Sequence, residues 1–399
     1  MLQSKIKLLA VLGLILAVGF MVLPGGVTAA AQTKGQVAMV LDVGGRGDLS
    51  FNDMGFKGLE EAAQELGVKT VVLQSASAAD YLPNIRNAAR SGKNELIIAI
   101  GFLLADAVNQ VAQEFPKQKF AIIDSVVDQP NVRSIVFREN ESSALVGALA
   151  AMVAAQDGFK KVGVVLGIPI PVLFHFEAGY RFGIDWGNKK YAQVTGTNPN
   201  VGLLWTYTGT FSDIAKGKAS TEAQLKLGAG LVYNVAGPLG IGDLEAISEA
   251  IQQAGHQAGP PFMIGVDSDQ DWMGGGNKVL ASAMKRVDNA TFDVIKSVVQ
   301  GNFQPGTASQ GLDNGGVAFS RYANLLNFIN FGINANAIKE GDRGTIIKNW
   351  LEMRQQIPYW IWDAVSELEV KIMTGKVTVP TANTPDEIQA IRKQFPLGG

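Results

Sequence analysis

Short apolar runs alternate with longer amphipathic segments along nearly the whole chain, and this alternation constrains the fold more than any other feature of the sequence. A first series of runs lies at residues 36–41, 69–73, 95–100, 119–123 and 134–136. A second lies at residues 161–166, 201–207, 230–234 and 262–266. They are almost continuously apolar, as strands covered on both faces must be. Between them, apolar residues recur at helical spacing. Phe56, Leu59, Ala63 and Leu66 share one face, and Leu244, Ile247 and Ile251 share another. Strand–helix–strand alternation gives parallel sheets flanked by helices. The strands are too many for one comfortable sheet, and 399 residues are too many for one core. The chain therefore reads as α/β with two lobes.

The expected boundaries follow from where the runs change character. Residues 36–137 with 267–312 form one lobe in this reading, and 138–266 with 313–385 form the other. The chain crosses between them near Phe137 to Asn140, near Asp267, and near Gly311 to Gly316. Residues 339–362 have a helical pattern rich in Trp and Ile and are expected to pack on the second lobe, whereas residues 386–399 read as a loose tail. No internal repeat is evident.

The N-terminus resembles an export signal. Lys5 and Lys7 precede an uncharged apolar run at residues 8–23, Pro24-Gly25-Gly26 breaks it, and Ala29-Ala30-Ala31 offers a cleavage site. Residues 1–31 are accordingly read as a signal peptide, giving a periplasmic or extracellular product, tethered to the membrane if the signal is not cut. Later apolar runs are too short to span a bilayer. The chain has no cysteine. This excludes disulfides, thiolate metal sites and cysteine nucleophiles, and on the same ground the protein is expected not to be a lipoprotein. A net charge of −2 argues against nucleic acid as a partner.

Motifs for catalysis are sparse. His175 and His256 are far apart, with no metal-ligand spacing. Neither a G-x-S-x-G elbow nor a phosphate-binding Gly-x4-Gly-Lys loop occurs. Gly240-Ile-Gly242-Asp243-Leu244-Glu245 follows a strand but lacks a third glycine, and its acids would repel phosphate. Arg46-Gly47-Asp48 is assigned no adhesion role. No cofactor or metal is implied, and the chain is not read as an enzyme.

The informative residues lie just past strand C-termini, where open α/β sheets bind ligands. Asp42 opens a glycine-rich loop in which Asp48 or Ser50 can cap the next helix. Phe51 and Asn52 stand at its start: one could stack on a heteroaromatic base and the other bond a ring edge, or both could serve the helix as staple and cap. Asp124 follows one strand and Asp267 another, with Asp269 and Asp271 close behind. Carboxylates there suit sugar diols, although Asp269 and Asp271 are also good caps. Lys285 ends a further short run and could offset these acids. Phe174 and Phe176 both offer a second stacking face, or core packing.

These residues form motifs that resemble the basic membrane protein family of ABC-transporter solute-binding proteins, whose best-known members bind purine nucleosides. The resemblance spans residues 37–319. It rests on Asp42-x-Gly-Gly-x-x-Asp48-x-Ser50-Phe51-Asn52, Phe120-Ala-Ile-Ile-Asp124, Ser143-Ala-Leu-Val-Gly147 and Phe176-Glu-Ala-Gly179-Tyr180. Tyr207-x-Gly209-x-Phe211-x-Asp213, Ala236-Gly237-x-x-Gly240, Gly265-Val-Asp267-Ser-Asp269-Gln270 and Ser282-x-x-Lys285 complete it. It implies a type I periplasmic-binding fold with three interlobe crossings. It also implies that Phe51 and Phe176 sandwich a base, that Asp42, Asn52 and Asp124 bond its edge, and that Gly237, Asp267 and Lys285 hold the ribose. The expected partners are a nucleoside and an ABC permease with its ATPase, and the mature chain is expected to be monomeric. The alternatives are a binding protein for a monosaccharide or other small polar solute, a nucleoside hydrolase, and a sensory receptor domain. The region after Phe319 departs from the family pattern.

Overall fold

The computed structural model describes residues 35–398, so the expected signal peptide lies outside the described residues. The first sheet begins with β1 (Gln36–Leu41), α1 (Phe51–Leu66), β2 (Lys69–Gln74) and α2 (Tyr81–Arg90). β3 (Asn94–Ile100), α3 (Ala105–Glu114), β4 (Lys119–Ile123) and β5 (Val132–Phe137) follow. The second sheet is introduced by α4 (Glu139–Gln156) and continues with β6 (Lys161–Leu166), α5 (Pro171–Thr195), β7 (Gly202–Tyr207) and α6 (Ile214–Lys226). Next come β8 (Ala229–Val235), α7 (Leu239–Gln253), β9 (Phe262–Asp267) and β10 (Val279–Lys285). The chain then returns through α8 (Val287–Val299) and β11 (Gly306–Gln310) and crosses again to β12 (Val317–Phe319). Four helices end it: α9 (Tyr322–Asn334), α10 (Arg343–Gln355), α11 (Tyr359–Met373) and α12 (Pro385–Gln394).

Among the described residues there are two six-stranded sheets, ordered β11-β5-β4-β3-β1-β2 and β12-β10-β9-β8-β6-β7. The two orders are the same permutation, a structural repeat that the sequence did not reveal. All pairings are parallel except β10 with β12. This is the expected two-lobed type I periplasmic-binding architecture. Its parallel register aligns the strand ends that matter: Leu41 pairs with Ile100 and Ile100 with Ile123 in one lobe, and Leu166 pairs with Val235 in the other. The loops after these strands therefore converge on one crevice.

Three crossings join the lobes: Phe137 to Glu139, Lys285 to Val287, and Gln310 to Val317. The crossing expected near Asp267 is corrected. β10 pairs with β9 inside the second sheet, with Met284 opposite Asp267. Residues 268–285 thus belong to the second lobe, and the chain leaves it only after Lys285. A charged run after an apolar strand looked like an exit, but it is a loop returning to the same sheet. The crossing segments hold one another, with Arg138 N donating to Gln310 O (2.7 Å) and Arg286 N to Gly316 O (2.8 Å).

The expected loose tail at residues 386–399 is also corrected. Ile388, Ile391 and Phe395 are buried in an ordered helix and its exit. Thr384 Oγ1 caps it by accepting from Glu387 N at 3.2 Å, with Pro385 in the first turn. The spacing i, i+3, i+7 of those apolar residues forms a stripe that the terminal position had obscured.

Two helices of the second lobe pack at unusually close range. A Cβ on Gly183 would lie 2.1 Å from Ala144 O, and one on Gly179 2.1 Å from Asn140 O. Only glycine lets the α5 backbone sit against α4 in this way, and this fixes the position of α5 and of the side chains it presents to the crevice. No helix among the described residues is long and apolar enough to cross a membrane.

Candidate functional site

The crevice between the lobes contains a cavity of about 70 Å³. Asp42, Phe51, Asn52, Asp124, Phe176, Gly237, Asp267 and Lys285 all line it. The structure thus brings these eight residues together at one cavity, and leaves Phe174, Asp269 and Asp271 outside it. Asp42, Phe51, Asn52 and Asp124 come from the first lobe and the other four from the second.

Asp48, rather than Ser50, organises the start of α1. Its carboxylate accepts from Ser50 N (3.0 Å), Asn52 N (2.8 Å) and Asp53 N (3.0 Å). The amides of Asn52 and Asp53 are among those a helix start leaves unpaired, so the first turn is fixed beside the cavity. Asn52 Nδ2 donates to Asp42 Oδ1 (2.9 Å) and to Asp48 Oδ2 (3.3 Å). Asn52 Oδ1, Asp124 Oδ1 and Asp267 Oδ1 are buried and have no hydrogen-bond partner among the described residues.

Asp124 and Asp267 occupy equivalent places, just past β4 and at the end of β9. Both have left-handed backbones, with φ of 67° and 62°. Non-glycine residues adopt this region at a cost of about 1–3 kcal/mol, and such strain collects at functional sites. Lys285 Nζ donates to Asp124 Oδ2 at 2.7 Å, a buried ion pair that joins the lobes. The same ammonium lies 5.2 Å from the ring centres of both Phe51 and Phe176. Burial opposes the lysine's charge, but Asp124, Glu139 and Asp267 together outweigh it and hold Lys285 above the usual ammonium range. Burial raises Asp124 and Asp267, with Lys285 opposing. Burial also raises Asp42, against the hydrogen bond from Asn52. Several acids share one cation here, so each disfavours its neighbours' charge.

Phe174 and Phe176 separate cleanly. Phe176 lines the cavity, whereas Phe174 packs edge-on to Tyr207 at 6.2 Å on the other side of α5. Asp271 and Asp269 do not reach the cavity. Asp271 accepts from Ser282 Oγ (2.7 Å), Ser320 Oγ (2.9 Å), Trp350 Nε1 (3.0 Å) and Arg354 (2.8 Å), which ties α10 to the second sheet. Residues missed as site formers include Ser50, Phe211 and Glu139. Ser50 Oγ lies 3.1 Å from both Val266 O and Asp267 Oδ2 across the crevice and shares its one proton between them. Ser268 Oγ (2.6 Å) and Gln270 Nε2 (3.1 Å) reach back to Leu49 O. Phe211 lines the cavity and had been visible only within a motif. Glu139 begins α4 and reads as an acid at a helix start, yet its charge acts on Lys285 and its carboxylate accepts from His175 Nδ1 (2.9 Å). His256 is not among the cavity-lining residues. Among the described residues no group of three or more acids and histidines could hold a metal.

Comparison with known proteins gives concordant matches. A family described as "ABC transporter substrate-binding protein PnrA-like" (Bmp) matches residues 35–346. An uncharacterised lipoprotein of Pyrococcus horikoshii is 36% identical, covering 99% of this chain and 97% of that protein. The ABC transporter nucleoside-binding protein BmpA of Lactococcus lactis is 32% identical over 89% of this chain and 92% of that protein. A solved ABC-transporter solute-binding protein from Aeropyrum pernix has a TM-score of 0.82 and 35% identity, covering 90% of this chain and 97% of that one. The Pyrococcus horikoshii relative, named as a lipoprotein, corrects the expectation that the protein is not one. Relatives in Pyrococcus abyssi and Pyrococcus furiosus, 36% and 35% identical, are likewise named as lipoproteins. Missing cysteine speaks to one chemistry of lipid attachment and was too narrow a ground for a statement about membrane anchoring.

Proposed function

The chain belongs to the Bmp family of PnrA-like ABC transporter substrate-binding proteins, and from that premise we propose that it binds a purine nucleoside between its lobes and delivers it to a membrane permease. The observation that carries this reading is chemical. Buried acceptor oxygens without donors among the described residues belong to Asn52 and Asp124 on one lobe and Asp267 on the other, and these three residues line one cavity with Phe51 and Phe176. An unpaired buried acceptor costs about 1–3 kcal/mol. A ligand that stacks on rings and supplies several donors relieves this cost, and a nucleoside offers a flat base, an N–H edge and ribose hydroxyls. The relative named as nucleoside-binding is consistent with this choice.

In this reading Phe51 and Phe176 flank the base, with stacking worth about 1–3 kcal/mol. Asp42, Asn52 and Asp124 take the base edge, while Gly237, Asp267 and Lys285 take the ribose. Since both lobes hold one ligand, binding favours closure, and the closed form is what a permease would recognise. Its role is delivery rather than catalysis: inosine incubated with the purified protein should yield no free hypoxanthine.

Asp267→Ala should weaken inosine affinity at least about tenfold, because charge-assisted hydrogen bonds of roughly 1.5–3 kcal/mol are lost. Isothermal calorimetry checks this. Unchanged affinity in the variant would remove Asp267 from the site, and a thermal shift with ribose but not with inosine would replace the nucleoside by a sugar.

A further inference from the structure

The first two turns of α5 carry Val172, Leu173 and Phe176 into the cavity. These turns overhang the neighbouring helix. Gly179 of α5 packs on Asn140, the second residue of α4, so residues 171–178 project past its start. Ser143 Oγ reaches up to Phe176 O (2.7 Å), but the side facing away from the cavity is covered by something else.

That cover is the C-terminal segment, which lies beyond residue 346, where the family match ends. Its first anchor is Asn140 Nδ2, which donates to Val379 O (3.0 Å) and Pro380 O (3.2 Å). Its second is Asn383, whose Oδ1 lies 3.0 Å from His175 Nε2. The other ring nitrogen faces Glu139, so both meet oxygen acceptors and suit a doubly protonated ring. Burial opposes that charge, and Glu139 outweighs it, raising His175. The third anchor is a fork. Arg392 Nε and Nη2 donate to Glu177 Oε1 and Oε2, both at 2.8 Å, beside Arg181 (2.7 Å) and Tyr207 (2.9 Å). Around these, Phe174 and Ala178 of α5 share an apolar cluster with Ala382, Ile388, Ile391 and Phe395.

The consecutive residues 174–178 thus divide by helical angle: Phe176 faces the cavity, and Phe174, His175, Glu177 and Ala178 face the C-terminal segment. We propose that residues 379–395 act as a positioning strap that holds the overhanging start of α5, and with it Phe176, at the wall of the ligand cavity. The inference rests on the nucleoside reading given above, since it assigns Phe176 to the ligand. Its energetic logic is preorganisation: a ring already fixed in place loses less freedom on binding.

The test compares Arg392→Ala and Asn383→Ala with Ile251→Ala, which opens a cavity at α7 outside the apolar cluster that the strap shares with α5, and with Lys393→Ala, an exposed strap residue. Two readouts are taken on the full chain. Hydrogen exchange of the amides of residues 173–180 needs no ligand. It should quicken about tenfold or more in Arg392→Ala and Asn383→Ala, but not in Ile251→Ala or Lys393→Ala. Inosine titration should then show affinity at least about fivefold weaker in the two strap variants, with Arg392→Lys partly restoring it, and the wild-type value in Ile251→Ala even if its melting temperature falls as far. Unchanged exchange at 173–180 in Arg392→Ala overturns the strap, as does a loss of affinity that merely follows the loss of stability. Failure of the wild-type chain to bind inosine overturns the nucleoside reading instead, and exchange still decides whether the strap holds α5.

Discussion

Asp243 is buried between α6 and α7, where Thr221 Oγ1 donates to its Oδ1 at 2.8 Å while Oδ2 has no partner among the described residues. Burial pushes its carboxyl up to about 7. A carboxyl raised in the folded state holds its proton there at pH values where the unfolded chain has released it, so stability falls as pH rises from about 4 to about 7. Asp243→Asn removes this penalty. The variant should be more stable than the parent by about 1–3 kcal/mol at pH 8 and equal to it near pH 3.5, as read from denaturant melts across that range. Asp243 had been noticed only as an acid that spoils a phosphate loop. Its burial depends on α6 folding over it, which no local pattern announces. The cavity residues were far more legible, because Asp42, Asp124, Asp267 and Lys285 are tied to strand ends and strand ends are readable from apolar runs. Ser50 and Glu139 were not, since their contacts come from the opposite lobe or from a helix distant in sequence.

At the scale of elements, α5 is gripped on two sides, by glycine contact with α4 and by the strap. Gly183→Ala places a methyl 2.1 Å from the backbone oxygen of Ala144. Backbone cannot yield as a flexible side chain does, so this variant should lose about 1–3 kcal/mol of stability in a thermal or urea melt. Gly196→Ala is no useful control, because its φ of 75° adds strain of its own; Ala192→Gly, on a surface turn of the same helix, should cost only about 1 kcal/mol. The strands were read well because a run buried on both faces has few other fates. The crossing near Asp267 was misplaced because acids after a strand look alike whether the chain leaves its sheet or loops back. The final helix was missed because its Ile388, Ile391 and Phe395 stripe is short and sits at a terminus, where a loose tail is the common outcome.

At the scale of the whole molecule, the two sheets share one strand order, and their closure is held by few bonds. Ser50 reaches Val266 and Asp267, Ser268 and Gln270 reach Leu49, and Lys285 pairs with Asp124. Removing some of these without touching the rings should shift the population toward an open form and weaken apparent affinity by the same factor. Ser268→Ala with Gln270→Ala should therefore enlarge the radius of gyration of the unliganded protein in solution scattering, and inosine should restore it. Two lobes and their shared crevice could be read from the sequence, but the grip between them depends on how one lobe meets the other. On the function proposed above, this crevice holds a base and a ribose together. Native mass spectrometry of the protein equilibrated with equal amounts of inosine, guanosine, adenosine, hypoxanthine and ribose tests it most directly. One purine nucleoside should be bound per chain and lost in Phe51→Ala; binding of hypoxanthine or ribose alone, or of none of the five, would rule a nucleoside site out.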